Sequence, residues 1–278
     1  MPAGTLYVVA TPLGHLGDLS LRARDTLRTV PVVAAEDTRR IRPLLSHLDA
    51  HPRVISFHAH SPERRQTVLL EILQDGRDVA LVTDAGTPGV SDPGPELVRA
   101  VRSAGIAVVP IPGPTAVGTA LSAAGLPADR FLFLGFPPRR GKDRSELLER
   151  AAECPWTVVL YEAPSRLTGL LNDLAELAGQ EREAVVAREL TKVHEEIRTG
   201  TLAQLETHYS ATPPRGEITV LLAGTGERSR RAPLPPDLAD RAARLLAEGM
   251  SRKMAVQQLI AAYGVARNDA YRIVTGIG

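Results

Sequence analysis

Residues 79–94 read Val79-Ala80-Leu81-Val82-Thr83-Asp84-Ala85-Gly86-Thr87-Pro88-Gly89-Val90-Ser91-Asp92-Pro93-Gly94. A short apolar run with no polar alternation, breaking at once into glycine and proline, marks a strand buried on both faces that ends in a loop. Strands of that kind belong to parallel sheets, whose faces are covered by the connecting helices. The residues that follow fit this reading. A helical stretch opens around Pro93 or Pro95 and stops near Gly105.

The same alternation extends in both directions. Runs at 6–10, 32–35, 54–57 and 107–111 are strand-like. Between them lie amphipathic stretches, one with Leu19, Leu21, Ala23 and Leu27 set among charged residues. Another begins Ser61-Pro62-Glu63, which predicts a serine N-cap with proline at the first helical position. Residues 1–112 therefore read as an N-terminal α/β domain with a mainly parallel sheet covered on both faces. The pattern restarts at Pro112-Gly113-Pro114. Strand-like runs at 131–136, 157–161, 184–187 and 218–223, with helices at 144–153 and 165–178, predict a second α/β domain over 113–225. Gly, Ser, Arg and Pro cluster in a linker over 226–236. A helical extension over 237–278 follows, with helices expected at 238–248, 251–262 and 268–274. The fold class expected is α/β, two domains with a cleft between them plus a helical tail.

Composition excludes several classes. The 278 residues carry Lys+Arg 33 against Asp+Glu 32, so no global field demands a nucleic-acid partner. The charge is unevenly placed, however. Residues 226–278 hold nine basic and five acidic side chains, a local +4 that leaves −3 for the rest. A single cysteine, Cys154, rules out a disulfide framework and a cysteine zinc site, and its place before Pro155 beside an apolar run reads as a small buried hydrophobe. The seven histidines show no metal spacing, His58 and His60 included, so no metal is expected. No apolar stretch approaches the roughly 18 residues that span a bilayer. The N-terminal residues read as a first strand rather than a signal peptide, and a cytoplasmic location with no membrane partner is expected.

In open α/β sheets ligands bind beyond the carboxyl ends of the strands. Three segments rich in glycine and proline fall there: 10–18, 83–94 and 110–116. One such loop is most simply a tight turn. Three, after strands 1, 4 and 5, argue for a cleft in which backbone approaches a ligand closely. The G-x-G-x-x-G and G-x-x-x-x-G-K-[ST] fingerprints are missing, as are G-x-S-x-G and H-E-x-x-H. Clusters of both charge signs follow other strands, at Glu36-Asp37-Thr38-Arg39-Arg40, Tyr161-Glu162-Ala163-Pro164-Ser165-Arg166 and Arg188-Glu189-Leu190-Thr191-Lys192. Each alone reads equally as a salt-bridged helix start; together they suggest a polar cleft for a charged ligand and a phosphate-bearing substrate.

Taken in order, residues 6–23 (LYVVATPLGHLGDLSLRA), AEDTR at 35–39, the 84–94 loop, PGPTA at 112–116, YEAPSR at 161–166, RELTK at 188–192 and RGE at 215–217 resemble the tetrapyrrole-methylase superfamily, the class III S-adenosylmethionine-dependent methyltransferases. AEDTR and YEAPSR resemble the branch acting on small-subunit ribosomal RNA, the (cytidine-2'-O)-methyltransferases, rather than a corrin or porphyrin methylase. The resemblance implies S-adenosylmethionine folded between two α/β domains, within a homodimer. Its contacts would be Pro12, Leu13, Asp84, Ala85, Thr87, Val90, Thr115 and Ala116, with Glu162, Ala163 and Ala187 from the second domain. It also implies a decoding-region cytidine of 16S rRNA, in the 30S subunit, as methyl acceptor. The chain departs from the family pattern at Arg40-Ile41-Arg42 and Pro137-Pro138-Arg139, positions that concern substrate rather than cofactor.

Because the sulfonium methyl is already activated, alignment of the ribose hydroxyl should supply most of the acceleration, about 7–11 kcal/mol. Glu36, Asp37, Glu189 and Lys192, ionisable groups at strand ends, are the candidates for the proton transfer. Arg39, Arg139, Arg166, Arg252, Lys253 and Arg267 are the candidate RNA contacts, the tail ones suiting a phosphate-contacting arm or a helical cap. Aromatics at 4% give no stacking platform. Two other readings share the cleft: a class III methylase for a corrin or porphyrin, and a non-catalytic small-molecule-binding module.

Overall fold

The computed structural model describes residues 2–226, 237–263 and 267–276, the side chains of 267–269 excepted. Strands β1 (Thr5–Val9), β2 (Val32–Ala35), β3 (Arg53–Ser56), β4 (Val79–Val82) and β5 (Ala107–Ile111) form one sheet in the order β3-β2-β4-β1-β5. All of its pairings are parallel. Successive side chains of a strand point to opposite faces, so an unbroken apolar run feeds two cores at once. Val33, Ala35, Ala80 and Val82 pack with helices α1 (Leu21–Thr29) and α2 (Thr38–His47). Val32, Ala34, Val79 and Leu81 pack on the other side with α3 (Glu63–Gln74) and α4 (Pro95–Ser103). Each such Val or Leu contributes about 1.5–3 kcal/mol when fully buried.

One helix start differs from the sequence expectation. Pro62, not Ser61, occupies the N-cap of α3 and makes no side-chain cap bond. The Ser61 hydroxyl turns back instead and accepts from the His58 N–H at 2.8 Å. Proline at the cap leaves the serine one residue too far from the first helical amides to serve them.

The second sheet comprises β6 (Phe131–Gly135), β7 (Thr157–Glu162), β8 (Glu183–Arg188), β9 (Glu196–Thr201) and β10 (Ile218–Leu222), ordered β6-β7-β10-β8-β9. It is mixed: β6 and β7 run parallel, while β10 lies antiparallel to β7 and β8, and β9 antiparallel to β8. Helices α6 (Lys142–Glu153), α7 (Leu167–Ala178) and α8 (Leu202–Ala211) cover one face. The other face carries α5 (Ala116–Ala124), and Leu13 from the loop after β1 packs into the same cluster. That contact ties the first loop to the second sheet.

Both sheets belong to one compact unit, Met1–Gly224; a second unit spans Thr225–Gly278. Within the latter, α9 (Leu238–Ala247), α10 (Arg252–Tyr263) and α11 (Arg267–Gly276) pack about Leu238, Ala242, Leu245, Ala255, Leu259, Ala270 and Val274. The linker expected over 226–236 lies, from 227 onward, outside the described residues. No helix among the described residues is long and apolar enough to cross a membrane.

Candidate active site

Strands β4, β1 and β5 are neighbours, so the three Gly/Pro loops leave their carboxyl ends side by side. They are bonded to one another. The Thr11 N–H donates to the Gly86 carbonyl at 2.9 Å, and the Gly86 N–H donates back to Thr11 at 3.0 Å. Thr87 Oγ1 donates to the Pro114 carbonyl at 2.9 Å. The first loop then reaches across to the second sheet, where the His15 N–H donates to Thr191 Oγ1 at 3.2 Å. Glycine is needed at position 14 because any Cβ would collide with the Lys192 side chain.

These loops and the ends of β7 and β10 enclose a cleft of about 420 Å³. Among the residues expected to hold a cofactor, Leu13, Asp84, Ala85, Thr87, Val90, Thr115, Ala116, Glu162 and Ala163 line it. Pro12 and Ala187 are not on its wall. Ala187 is buried in the apolar layer, where it pairs with Thr219, and Thr219 does line the cleft.

Five carboxyl groups line the cleft (Glu36, Asp84, Asp92, Glu162 and Glu217) against one guanidinium, Arg40. Arg40 lies 3.3 Å from Asp84 and 4.0 Å from Glu217, linking the two sheets electrostatically. Asp84 Oδ1 also accepts from the Asp37 N–H at 3.1 Å. Glu36 is raised above the ordinary carboxylate range, first by burial and then by the charge of Asp84. Asp37 caps α2 and is gripped by Arg39, which bonds both of its oxygens at 3.1 and 2.7 Å. Those bonds hold its carboxyl at about 2, and neither residue of the pair is on the cleft wall.

Glu189 and Lys192 stand one step behind the wall. Lys192 Nζ donates to Glu189 Oε1 at 2.8 Å and to the cleft residue Glu217 at 3.2 Å. Burial pulls the ammonium down, but the bonds to Glu189 and Glu217 outweigh it and the net shift is upward. Glu189 is correspondingly lowered, chiefly by the bond from Lys192. The turn carrying them is strained: Glu189 has φ 50° and Thr191 φ 65°, left-handed values that ordinary side chains rarely adopt.

Glu162 is 2% exposed. Its Oε1 accepts from the Ala163 N–H at 2.8 Å and pairs with Arg166, whereas the buried Oε2 has no hydrogen-bond partner. An enclosed carboxylate oxygen with no donor is costly unless a ligand supplies one. Of the candidate RNA contacts, Arg166 is thus held by Glu162 and by the Pro137 carbonyl at 3.4 Å. Arg39 and Arg139 are exposed, as are Arg252 and Lys253 at the start of α10. The Arg267 side chain lies outside the described residues.

Sequence reasoning did not single out Asp92, Tyr161, Phe136 or Glu217. Phe136 is 56% exposed over the cleft mouth, its ring 5.3 Å from that of Tyr161. Asp92 is pushed from the ordinary 3.8 up to about 7 by burial, with added repulsion from Glu36, Asp84 and Glu217 and partial relief from a Thr83 hydrogen bond. The sign follows directly. Below about pH 4 both folded and unfolded chains hold this proton; up to pH 7 only the folded chain does, so Asp92 lowers stability progressively across that window and fully above it. Asp92→Asn should therefore stabilise the fold by about 1–2 kcal/mol above neutrality, allowing for solvent screening. Denaturant titrations at alkaline and acid pH check this: the gain should vanish near pH 4. An equal gain at both would show a pH-independent origin.

Among the described residues no group of three or more His, Cys, Asp or Glu side chains is placed to hold a metal ion. A parallel sheet joined to a mixed one, with Gly/Pro loops walling a cleft beyond the strand ends, is a ligand-binding architecture. The sequence model of the tetrapyrrole (corrin/porphyrin) methylases matches residues 5–206. The chain is 44% identical over 270 residues to ribosomal RNA small subunit methyltransferase I of Synechocystis sp., covering 97% of each. It is 48% identical to the protein of that name from Pseudomonas aeruginosa, covering 81% of this chain and 80% of the relative. The chain therefore belongs to the tetrapyrrole methylase family and, within it, to the ribosomal RNA small subunit methyltransferase I family. Its fold is that of uroporphyrin-III C-methyltransferase from Thermus thermophilus in complex with S-adenyl homocysteine (TM-score 0.58, 20% identity, 82% of this chain and 99% of that one).

Proposed function

We propose that the chain transfers the methyl group of S-adenosylmethionine to the ribose 2'-hydroxyl of a cytidine in 16S rRNA, acting as a homodimer on the 30S subunit. The observation that carries this reading is the cleft, where five carboxyl groups face one guanidinium beside close-packed backbone. That field suits a cationic donor and releases it once methyl loss has made it neutral. When bound, S-adenosylmethionine supplies an electrophilic methyl. Leu13, Ala85, Val90 and Ala116 offer apolar surface to such a ligand, and Glu162 Oε2 offers an acceptor for one of its N–H or O–H groups. Pro12 and Ala187 then act through the loops and strand they belong to.

Within this reading Lys192, Glu189 and Glu217 brace the turn whose Thr191 accepts from the His15 N–H of the first loop. A doubly bonded ammonium is a fixed positive charge rather than a proton acceptor. Asp37 orients α2 through its cap. Arg39, Arg139, Arg252, Lys253 and Arg267 meet RNA phosphates, and Arg166 does so only by sharing its bond to Glu162. The decisive experiment supplies methyl-labelled S-adenosylmethionine with 30S subunits, naked 16S rRNA or a free tetrapyrrole. Label is expected in 2'-O-methylcytidine after nuclease digestion of the 30S reaction. Label in the tetrapyrrole alone, or none at all, would reject the reading.

A further inference from the structure

We propose that Asp92 is the catalytic proton acceptor, its carboxylate taking the ribose 2'-hydroxyl proton as that oxygen attacks the methyl group. This rests on the function proposed above. Three of the other carboxyl groups of the cleft are engaged by cations or backbone amides. Asp84 is held by the Asp37 N–H and Arg40, Glu217 by Lys192 and Arg40, and Glu162 by Ala163 and Arg166. Glu36 stands between Asp84, whose charge repels its own, and Arg40, whose charge favours it. Asp92 makes no ion pair among the described residues; the group that favours its charge is a neutral hydroxyl, that of Thr83.

The backbone fixes the carboxyl on the cleft wall. Ser91 before it has φ 62° and Gly94 beyond it φ 146°, with Pro93 between. Pro93 and Gly94 are buried, and a Cβ at Gly94 would stand 3.1 Å from Leu81 Cδ2, so the turn lies flush on the end of β4. A turn over-determined in this way holds a group in one orientation rather than letting it sample many. Independently, Glu162, a residue of the same cleft wall, keeps a buried Oε2 with no hydrogen-bond partner.

The groups facing Asp92 are Glu36, Asp84 and Glu217, which repel its charge, and Tyr161, whose own ionisation burial and Asp92 both oppose. Arg40 lines the same cleft but is engaged with Asp84 and Glu217. An acceptor placed near 7 is half-ionised at neutrality and basic enough to assist without being permanently protonated. The step balances. An O–C bond forms with a hydroxyl electron pair, the C–S bond breaks with its pair going to sulfur, the sulfonium becomes a neutral thioether, and the proton passes to Asp92 and then to water.

The test is the pH profile of kcat/KM for 2'-O-methylation of 30S subunits, run from well below to well above neutrality. Wild type should climb tenfold per pH unit to an inflection near 7 and then level off. Asp92→Asn should lose that inflection and fall about 10²–10⁴-fold in kcat, while its affinity for S-adenosylmethionine changes far less. Thr83→Val, which removes the bond favouring the carboxylate, should move the inflection upward. If Asp92→Asn binds the donor yet keeps the wild-type inflection and rate, the assignment is wrong. An unmoved inflection in Thr83→Val overturns it even if Asp92→Asn does not fold. Failure of the underlying function would look different, because wild type itself would then methylate no ribose.

Discussion

Replacing Gly216 by alanine is expected to lower the unfolding free energy by about 2–4 kcal/mol and to abolish methyl transfer. Gly216 has φ 84°, and a Cβ there would overlap the Glu189 carboxylate. The clash cannot be relieved cheaply. Glu189 Oε1 accepts from Lys192 Nζ at 2.8 Å and from the Glu217 N–H at 3.0 Å, and swinging it aside breaks both bonds. Each of these partly solvent-exposed bonds contributes about 0.5–1 kcal/mol net, and a left-handed alanine adds about 1–2 kcal/mol. Activity suffers twice over, since Gly216, Glu217, Ile218 and Thr219 form one stretch of cleft wall. Urea unfolding of wild type, Gly216→Ala and Gly216→Ala with Glu189→Ala measures this. The double variant should be more stable than the sum of the two single losses implies, because the clash is counted once. A Gly216→Ala loss within about 0.5 kcal/mol, the range of ordinary surface changes, would show that the turn is not constrained as described.

Glu162 carries the second large effect. It holds the Ala163 amide and Arg166 with one oxygen and keeps the other, buried, without a partner. Truncation to alanine strands the Arg166 guanidinium, 27% exposed, and should cost about 3 kcal/mol, the lower end for a broken buried pair. Glutamine keeps the shape but replaces one carboxylate oxygen with an amide donor. Glu162→Gln should therefore weaken S-adenosylmethionine binding by about 10–100-fold, equivalent to one lost charge-assisted bond. Unchanged affinity would mean that Oε2 meets no ligand donor.

Much of this architecture is legible in the residues. The apolar runs ending in Gly/Pro loops fix the parallel sheet, because a strand buried on both faces has no other way to read. What stays hidden has physical causes. Strand β9 reads Glu-Ile-Arg-Thr-Gly-Thr on a sheet edge, where exposure removes the alternation that announces a strand. The helix after it did carry a signal, the Thr201–Gln204 capping box, which was not read. At the site, Glu36 and Asp37 are adjacent in sequence, yet one lines the cleft and the other is bonded to Arg39. Asp92 lies within the Gly/Pro loop after β4, but nothing in its spacing tells that Glu36, Asp84 and Glu217 converge on it from other segments. Composition points to few aromatics, and only the fold packs Phe133 and Phe136 against Tyr161, the latter two on the cleft wall.

A calorimetric titration of the full chain with S-adenosylmethionine bears most directly on the proposal that two sheets build one donor site. The expected outcome is a single saturable site per chain, weakened in Glu162→Gln to the extent given above. A flat titration with wild-type protein, or identical isotherms for the two proteins, would contradict it.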